Sequence, residues 1–387
     1  MWLSDMKLIL ADHVIENGSV RVENGVIAEI VESTGQPSGF TIFPGFIDMH
    51  GDMIELELEP RPRVDFPMEV AVGHLDARLA ASGVTTAYAG VSFSRNAKDG
   101  DRRSFEHTSG IIRALKENIA GLRVDHRIHA RFDMTYTGAI AALEGLLKAG
   151  AVDLVSVMDH TPGQGQYRDL EKLVAYRLSS KAGATEDEIR AGIAASIAAA
   201  TATEQVLENL NNVSRLCKSH GVAMASHDDD TVAKTNLMAD IGAVISEFPV
   251  SLEAAETAAS RGMMIAMGAP NAMRGQSYSG NLSARDAHSA GLLHMLAADY
   301  HPGAILPAIR ALAPADPDGL AGAVRLASVN PARALGLDDR GELALGKRAD
   351  LFIVDQSDRV VQTISAGDII FSNGTYTQPQ RASSVAA

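Results

Sequence analysis

The sequence predicts an α/β protein: a (β/α)8 TIM-like barrel carrying a small β-sandwich made from the N- and C-terminal segments. Three observations predict it. A short apolar run ending in polar residues recurs eight times between residues 42 and 300, with helical stretches between the runs. Both ends of the chain alternate apolar and polar positions and are punctuated by Asn-Gly turns. At 387 residues, the chain is too long for one small core and suits a large domain with a smaller one. An open doubly wound sheet is the alternative. The barrel is preferred because polar residues sit at the C-terminal ends of strands from both halves, and a barrel brings all those ends to one rim.

Residues 6–43 read as a small β unit, with hairpin signals at Asn17-Gly18 and Asn24-Gly25. The apolar runs follow at Ile42–Asp52, Gly83–Val91, Val124–Met134, Val152–His160, Gly221–Asp228, Ala243–Val250, Met263–Asn271 and Leu292–Tyr300. Helical periodicity fills Val70–Ala81, Phe105–Ala120, Ala139–Ala149 and Leu252–Ser260. The longest helical stretch, Glu186–Ser219, is alanine-rich and is opened by Thr185 and Glu188 at capping-box spacing. Strand patterns return at Gly341–Val354 and Val360–Phe371, with a turn at Asn373-Gly374. The expected division is therefore 1–43 plus 338–378 as the sandwich, 44–337 as the barrel, and 379–387 as a loose tail.

Composition narrows the function. A net charge of −14 argues against a nucleic-acid or anionic-membrane partner. The single cysteine, Cys217, allows no intrachain disulfide and fits a reducing compartment. Met1-Trp2-Leu3-Ser4-Asp5 lacks the basic start and apolar core of a secretory signal. Every apolar stretch is interrupted well short of the ~18 residues a membrane span needs. A cytoplasmic protein is the expectation, and the fold class favours a homodimer.

The strand ends carry the chemistry. The run Thr41 to Met49 ends in His50-Gly51-Asp52, which places an imidazole and a carboxylate on one face. His129, Arg131 and Asp133 alternate along the third run. The fourth ends in Asp159-His160 and the fifth in Ser226-His227-Asp228-Asp229-Asp230. The sixth carries Glu247, and the eighth ends in Asp299-Tyr300. Histidine and carboxylate converging on one rim suit one or two divalent ions such as Zn, Mn or Ni. Asp133 and Glu247 support this reading, because a carboxylate inside a strand is costly without a cation or donors. Single histidines in barrel strands are often only hydrogen-bonded. Asp229 and Asp230 read more simply as a solvated loop or a helix N-cap. Asp48 could support a ligand as readily as be one.

Phe43-Pro44-Gly45-Phe46-Ile47-Asp48-Met49-His50 resembles the opening signature of the amidohydrolase superfamily. Gly341 to Leu351 resembles its returning C-terminal β segment. Asp52 stands where members usually carry a second histidine, and Glu247 stands where the sixth strand usually supplies one. These departures resemble a diphosphatase branch of the superfamily that serves phosphonate breakdown. Other segments that carry this resemblance are Pro60 to Asp65, Met158 to Tyr167, Ala225 to Asp229, Glu247-Phe248-Pro249, Gly268-Ala269-Pro270-Asn271 with Arg274-Gly275, and Ser279-Gly280-Asn281.

The resemblance implies His50, Asp52 and Asp299 around one metal, with His227 and His160 at a second. Asp133, or alternatively Glu247, would bridge, because the fourth run contains no lysine. It further implies a phosphorylated sugar as substrate and hydrolysis of its 5-triphosphate to release diphosphate, with Asp299 accepting the proton of the attacking water. Arg61, Arg63, Arg131 and Arg274 are candidate phosphate clamps, since guanidinium binds phosphate in a bidentate way. Asn271 lies in the segment Gly268 to Gly280, whose backbone N–H groups could face phosphate. Each arginine could equally form a surface ion pair. The superfamily signature alone also allows an amidase or deaminase acting on a C–N bond. A non-catalytic binding barrel would be expected to have lost several rim ligands.

Overall fold

The computed structural model describes residues 1–61, 64–93, 105–118, 121–180, 183–277 and 280–376. Four strands open the chain: β1 (Trp2–Ile9), β2 (Val14–Glu23), β3 (Val26–Glu32) and β4 (Thr41–Pro44). The barrel strands follow: β5 (Phe46–Gly51), β6 (Val84–Phe93), β7 (Asp125–Asp133), β8 (Leu154–Met158), β9 (Ala223–His227), β10 (Ile245–Glu247), β11 (Met264–Gly268) and β12 (Met295–Ala297). The chain returns with β13 (Leu351–Val354), β14 (Val360–Ser365) and β15 (Asp368–Ser372).

Strands β5 to β12 pair in sequence order, all parallel, as one eight-stranded sheet. The ends of that sheet meet along a seam. Asp52 N donates to Asp299 O at 2.7 Å, and Asp299 N donates to His50 O at 2.9 Å. One carboxylate fastens the seam from below: Asp48 Oδ1 accepts from Ala298 N at 2.8 Å and from His50 N at 3.2 Å. Asp48 is fully buried, and that burial pushes its carboxyl up to about 6.

Strand periodicity sets what lies inside. Tyr88, Ala225, Ile245 and Ala266 belong to an apolar plug within the barrel. Two residues further along the same strands stand Gly90, His227, Glu247 and Gly268. A period of two keeps each pair on one face, so an apolar floor underlies a polar rim. The larger core lies between the barrel and its helices, where Ala130 and Phe132 of β7 face outward.

The terminal strands form one seven-stranded sheet in the order β15-β14-β13-β4-β1-β2-β3. Leu3, Leu8, Val20, Ile42, Leu351 and Ile353 share a separate apolar cluster there. The predicted long helix is in fact two, Glu186–Ala198 and Thr203–His220. At the break, Thr201 Oγ1 donates to Thr135 O at 3.1 Å, holding the chain against the rim of the barrel. The Thr185–Glu188 capping box forms as the sequence indicates. Among the described residues, no helix is long and apolar enough to cross a membrane.

Candidate metal centre and active site

Three fully buried side chains converge at the barrel mouth: His50 from β5, His129 from β7 and Glu247 from β10. His50 Nδ1 lies 3.2 Å from Glu247 Oε2, and His129 Nε2 lies 3.5 Å from Glu247 Oε1. Neither pair has hydrogen-bond geometry. Among the described residues, both nitrogens of each histidine and both oxygens of Glu247 have no hydrogen-bond partner. Each buried polar group left so costs about 1–3 kcal/mol, and a charged one costs more. A cation held among these atoms would partner one atom of each side chain, and imidazole with carboxylate is a suitable donor set for Zn, Mn or Ni.

The electrostatics agree. Burial opposes a charge on His50, but Glu247 and Asp52 override it and raise the imidazole to about 10. Burial likewise opposes a charge on Glu247, yet His129 and His50 bring its carboxyl down to about 2. These carboxylates make the pocket attractive to positive charge. Burial lowers His129 to about 3, with the charge of Glu247 acting against it.

A second group, His160, His227 and Asp228, stands beside the first. His227 Nδ1 lies 3.0 Å from Asp228 Oδ2. Arg131 enters between the groups, with Nη1 on Asp52 Oδ1 at 2.5 Å and Nη2 on His227 Nε2 at 3.2 Å. Asp52 also lies 3.3 Å from His50 Nε2. Its own burial pushes Asp52 toward protonation, and Arg131 reverses this and holds its carboxyl well below the usual range. The Phe248 ring stands over both His50 and His227, with centroid distances of 5.0 and 5.3 Å.

Asp299 lines the same cleft as Asp52, Arg131, His160 and His227 but joins neither metal-like group. Burial, and then the charge of Asp52, raises its carboxyl above the ordinary value, which makes it a stronger proton acceptor. Gly268 opposite leaves it room, since a Cβ there would stand 3.1 Å from Asp299 Oδ2. Asp228, Phe248 and Asp299 each adopt left-handed backbone, at φ of 54°, 54° and 56°. All three lie just past the end of a barrel strand, at the rim.

The remaining candidates divide. Arg274 and Asn271 line the cleft. Arg274 is exposed, and Asn271 Oδ1 accepts from Ala284 N at 3.0 Å. Their segment is a short helix, Ala269–Arg274, rather than an extended phosphate loop. Arg61 is exposed, pairs through its backbone with Val64, and does not line the cleft. Arg63 and Ser279 lie outside the described residues. Asp133 belongs to neither group, and its Oδ1 accepts from Thr135 N and Oγ1 at 2.9 and 2.7 Å. Asp229 and Asp230 are not the N-cap of the next helix, which is Thr231. Asp229 instead accepts from Ser226 at 2.5 Å, and Asp230 accepts from Gly165 N at 2.9 Å. His129 is not among the ligands that the strand ends suggest. The signal was its place two residues before Arg131, on the same face.

Residues 41–370 match the model of the amidohydrolase family, and the chain belongs to that family. Divalent metals are the family's cofactors, in keeping with the buried donor set described above. The chain is 36% identical over 368 residues to alpha-D-ribose 1-methylphosphonate 5-triphosphate diphosphatase of Escherichia coli (strain K12), covering 92% of this chain and 96% of that protein. Among solved structures, N-acetyl-D-glucosamine-6-phosphate deacetylase from Mycobacterium smegmatis is 19% identical at a TM-score of 0.62, covering 96% of this chain and 100% of that one. The 5-methylcytosine deaminase from Klebsiella pneumoniae is 15% identical at a TM-score of 0.65, covering 98% of this chain and 100% of that one. At these identities the two structures show a common fold.

Proposed function

We propose that the protein hydrolyses the 5-triphosphate of alpha-D-ribose 1-methylphosphonate 5-triphosphate, releasing diphosphate and leaving a 5-phosphate. The observation that carries the reading is the 36% identity across nearly the whole of both chains to a diphosphatase of that name. The cleft adds chemical support, because Arg131 and Arg274 line it together with Asp299. His50, His129 and Glu247 would hold a divalent cation, and Zn, Mn and Ni all suit them. Such an ion, when bound, acidifies water and takes up charge on phosphoryl oxygens.

The chain's own residues supply the rest. Asp299 accepts a proton from the attacking water as the water oxygen bonds to phosphorus. The bond from that phosphorus to the diphosphate oxygen breaks, and the same proton can follow the leaving group. Arg274, exposed at the cleft wall, would meet a phosphate with paired N–H donors. Phosphoryl transfer asks for positioning and positive charge more than for covalent help, which fits a site of carboxylates, imidazoles and arginines.

The test is product identity. Metal-replete protein incubated with the ribose phosphonate triphosphate is expected to release diphosphate. Incubated with amide and aminopyrimidine substrates, it is expected to release neither carboxylate nor ammonia. Ammonia or carboxylate release without diphosphate release would overturn the proposal and favour C–N bond hydrolysis.

A further inference from the structure

We propose that Arg131 is a built-in cation that takes the place of a second metal ion, so that the centre holds one ion, at His50, His129 and Glu247. The inference rests on the site being a metal centre and does not depend on which substrate it turns over.

The argument is one of lone pairs. Arg131 Nη2 donates to His227 Nε2 at 3.2 Å. A guanidinium has only donors, so in this contact Nε2 accepts and a proton on the His227 ring sits on Nδ1. The Nε2 lone pair is then spent on Arg131, and the protonated Nδ1, 3.0 Å from Asp228 Oδ2, has none to give. A metal bound through Nδ1 would move the ring proton to Nε2, where it would point at an N–H of Arg131. His227 therefore serves the arginine or an ion, but not both in this arrangement. The other arm of the guanidinium occupies Asp52 Oδ1. Two of the groups expected to hold ions thus already hold a charge.

The place is built for the arginine. Arg131 is 8% exposed, and its partner His227 is 5% exposed. Gly90 of β6 leaves the space for it. A Cβ there would lie 2.9 Å from Asp52 Oδ1 and 3.2 Å from Arg131 Cδ. Among the described residues, His50, His129 and Glu247 have no hydrogen-bond partner on any ring nitrogen or carboxylate oxygen. In the second group His227 Nδ1 and Asp228 Oδ2 are also without one, but His227 Nε2 is taken by Arg131.

The experiment counts ions. Wild-type protein is equilibrated with excess zinc, freed of loose metal by gel filtration, and assayed by mass spectrometry for zinc per chain. One equivalent is expected for wild type and two for Arg131→Met. Two equivalents in wild type, none in wild type, or one in a folded Arg131→Met protein would each overturn the proposal. Nitrogen NMR of zinc-loaded wild type provides a reading independent of any variant's folding. His227, assigned by comparison with His227→Gln, is expected as the Nδ1–H tautomer, and a metal-bound His227 nitrogen would overturn it. Because neither measurement uses turnover, a wrong substrate assignment leaves both results intact and shows itself only in the product assay.

Discussion

At the scale of single residues, the site holds two neighbouring carboxylates in opposite electrostatic settings. Asp52 is kept ionised by Arg131, whereas Asp299, close by, is pushed toward protonation by burial and by Asp52 itself. Two carboxylates driven apart in this way suit different tasks. Replacing Asp299 by alanine is expected to lower kcat by about a hundredfold to ten-thousandfold, the usual range for a lost acid–base group. Metal content should be unchanged, because Asp299 belongs to neither cation group. A variant that releases diphosphate at the wild-type rate would remove Asp299 from the mechanism. Much of this site was legible in the sequence. His50, Asp52, His227, Glu247 and Asp299 were visible as polar residues at strand ends, and the structure gathers them at one mouth. The pairing of Arg131 with Asp52 and His227 was not legible, because it depends on how far each strand is sheared past its neighbour. The strand pattern singles out Asp133, whereas the structure groups His129 with His50 and Glu247. Position along a strand gives the face of a side chain but not its height in the barrel.

Elements are tied by carboxylates that accept backbone donors. Asp76, in the helix Met68–Ala81, is buried and reaches the start of β7. It accepts from Arg123 N at 3.1 Å, Val124 N at 3.0 Å and His126 Nε2 at 3.1 Å. Burial pushes its carboxyl up, but the hydrogen bonds from His126 and the two amides outweigh burial and lower it. A depressed carboxyl stabilises the fold fully above its unfolded value of about 3.9 and loses that contribution as pH falls through the lower folded value. Asp76→Ala is therefore expected to cost about 2–4 kcal/mol at neutral pH in denaturant unfolding, because it strands buried donors. The gap between variant and wild type should shrink below pH ~4. A gap that does not change with pH would mean that packing, not the carboxylate, sets the cost. Helix and strand positions were largely readable from periodicity. The break between Ala198 and Thr203 was not, because alanine-rich sequence favours helix throughout and the contact that interrupts it, Thr201 on Thr135, is remote in sequence.

For the whole molecule, the question is whether barrel and terminal sheet are one cooperative unit. Phe352 of β13 lies against Phe43 and Phe46, with ring centroids 5.1 and 4.6 Å apart. Thr363 Oγ1 donates to Ala80 O at 2.7 Å. Arg325 Nη1 donates to Ala11 O at 2.8 Å, and Arg340 reaches Asp125 at 2.6 Å. Ile9, Phe43, Phe352 and Val354 belong to the same buried cluster as the barrel's outer face. The two parts are expected to melt in one calorimetric transition, and two resolved peaks would show that they unfold separately. The returning C-terminal strands were legible as strands. That they pair across β4, between β13 and β1, follows from topology that no local pattern encodes.

The left-handed backbone at the rim bears on how this protein would respond to selection for heat resistance. An L-residue with a side chain pays roughly 1–2 kcal/mol for that conformation, and glycine is spared most of it. Asp299 at φ 56° adds a partly buried carboxylate to the cost. Asp299→Gly and Asp299→Ala both discard the carboxylate, so only the backbone separates them. The glycine variant is expected to be the more stable of the two by about 1 kcal/mol in thermal melts, and equal melting temperatures would show that the strain is absent. A library selected for thermal stability alone would drift toward glycine at this position and lose the carboxylate proposed as the proton acceptor on the way.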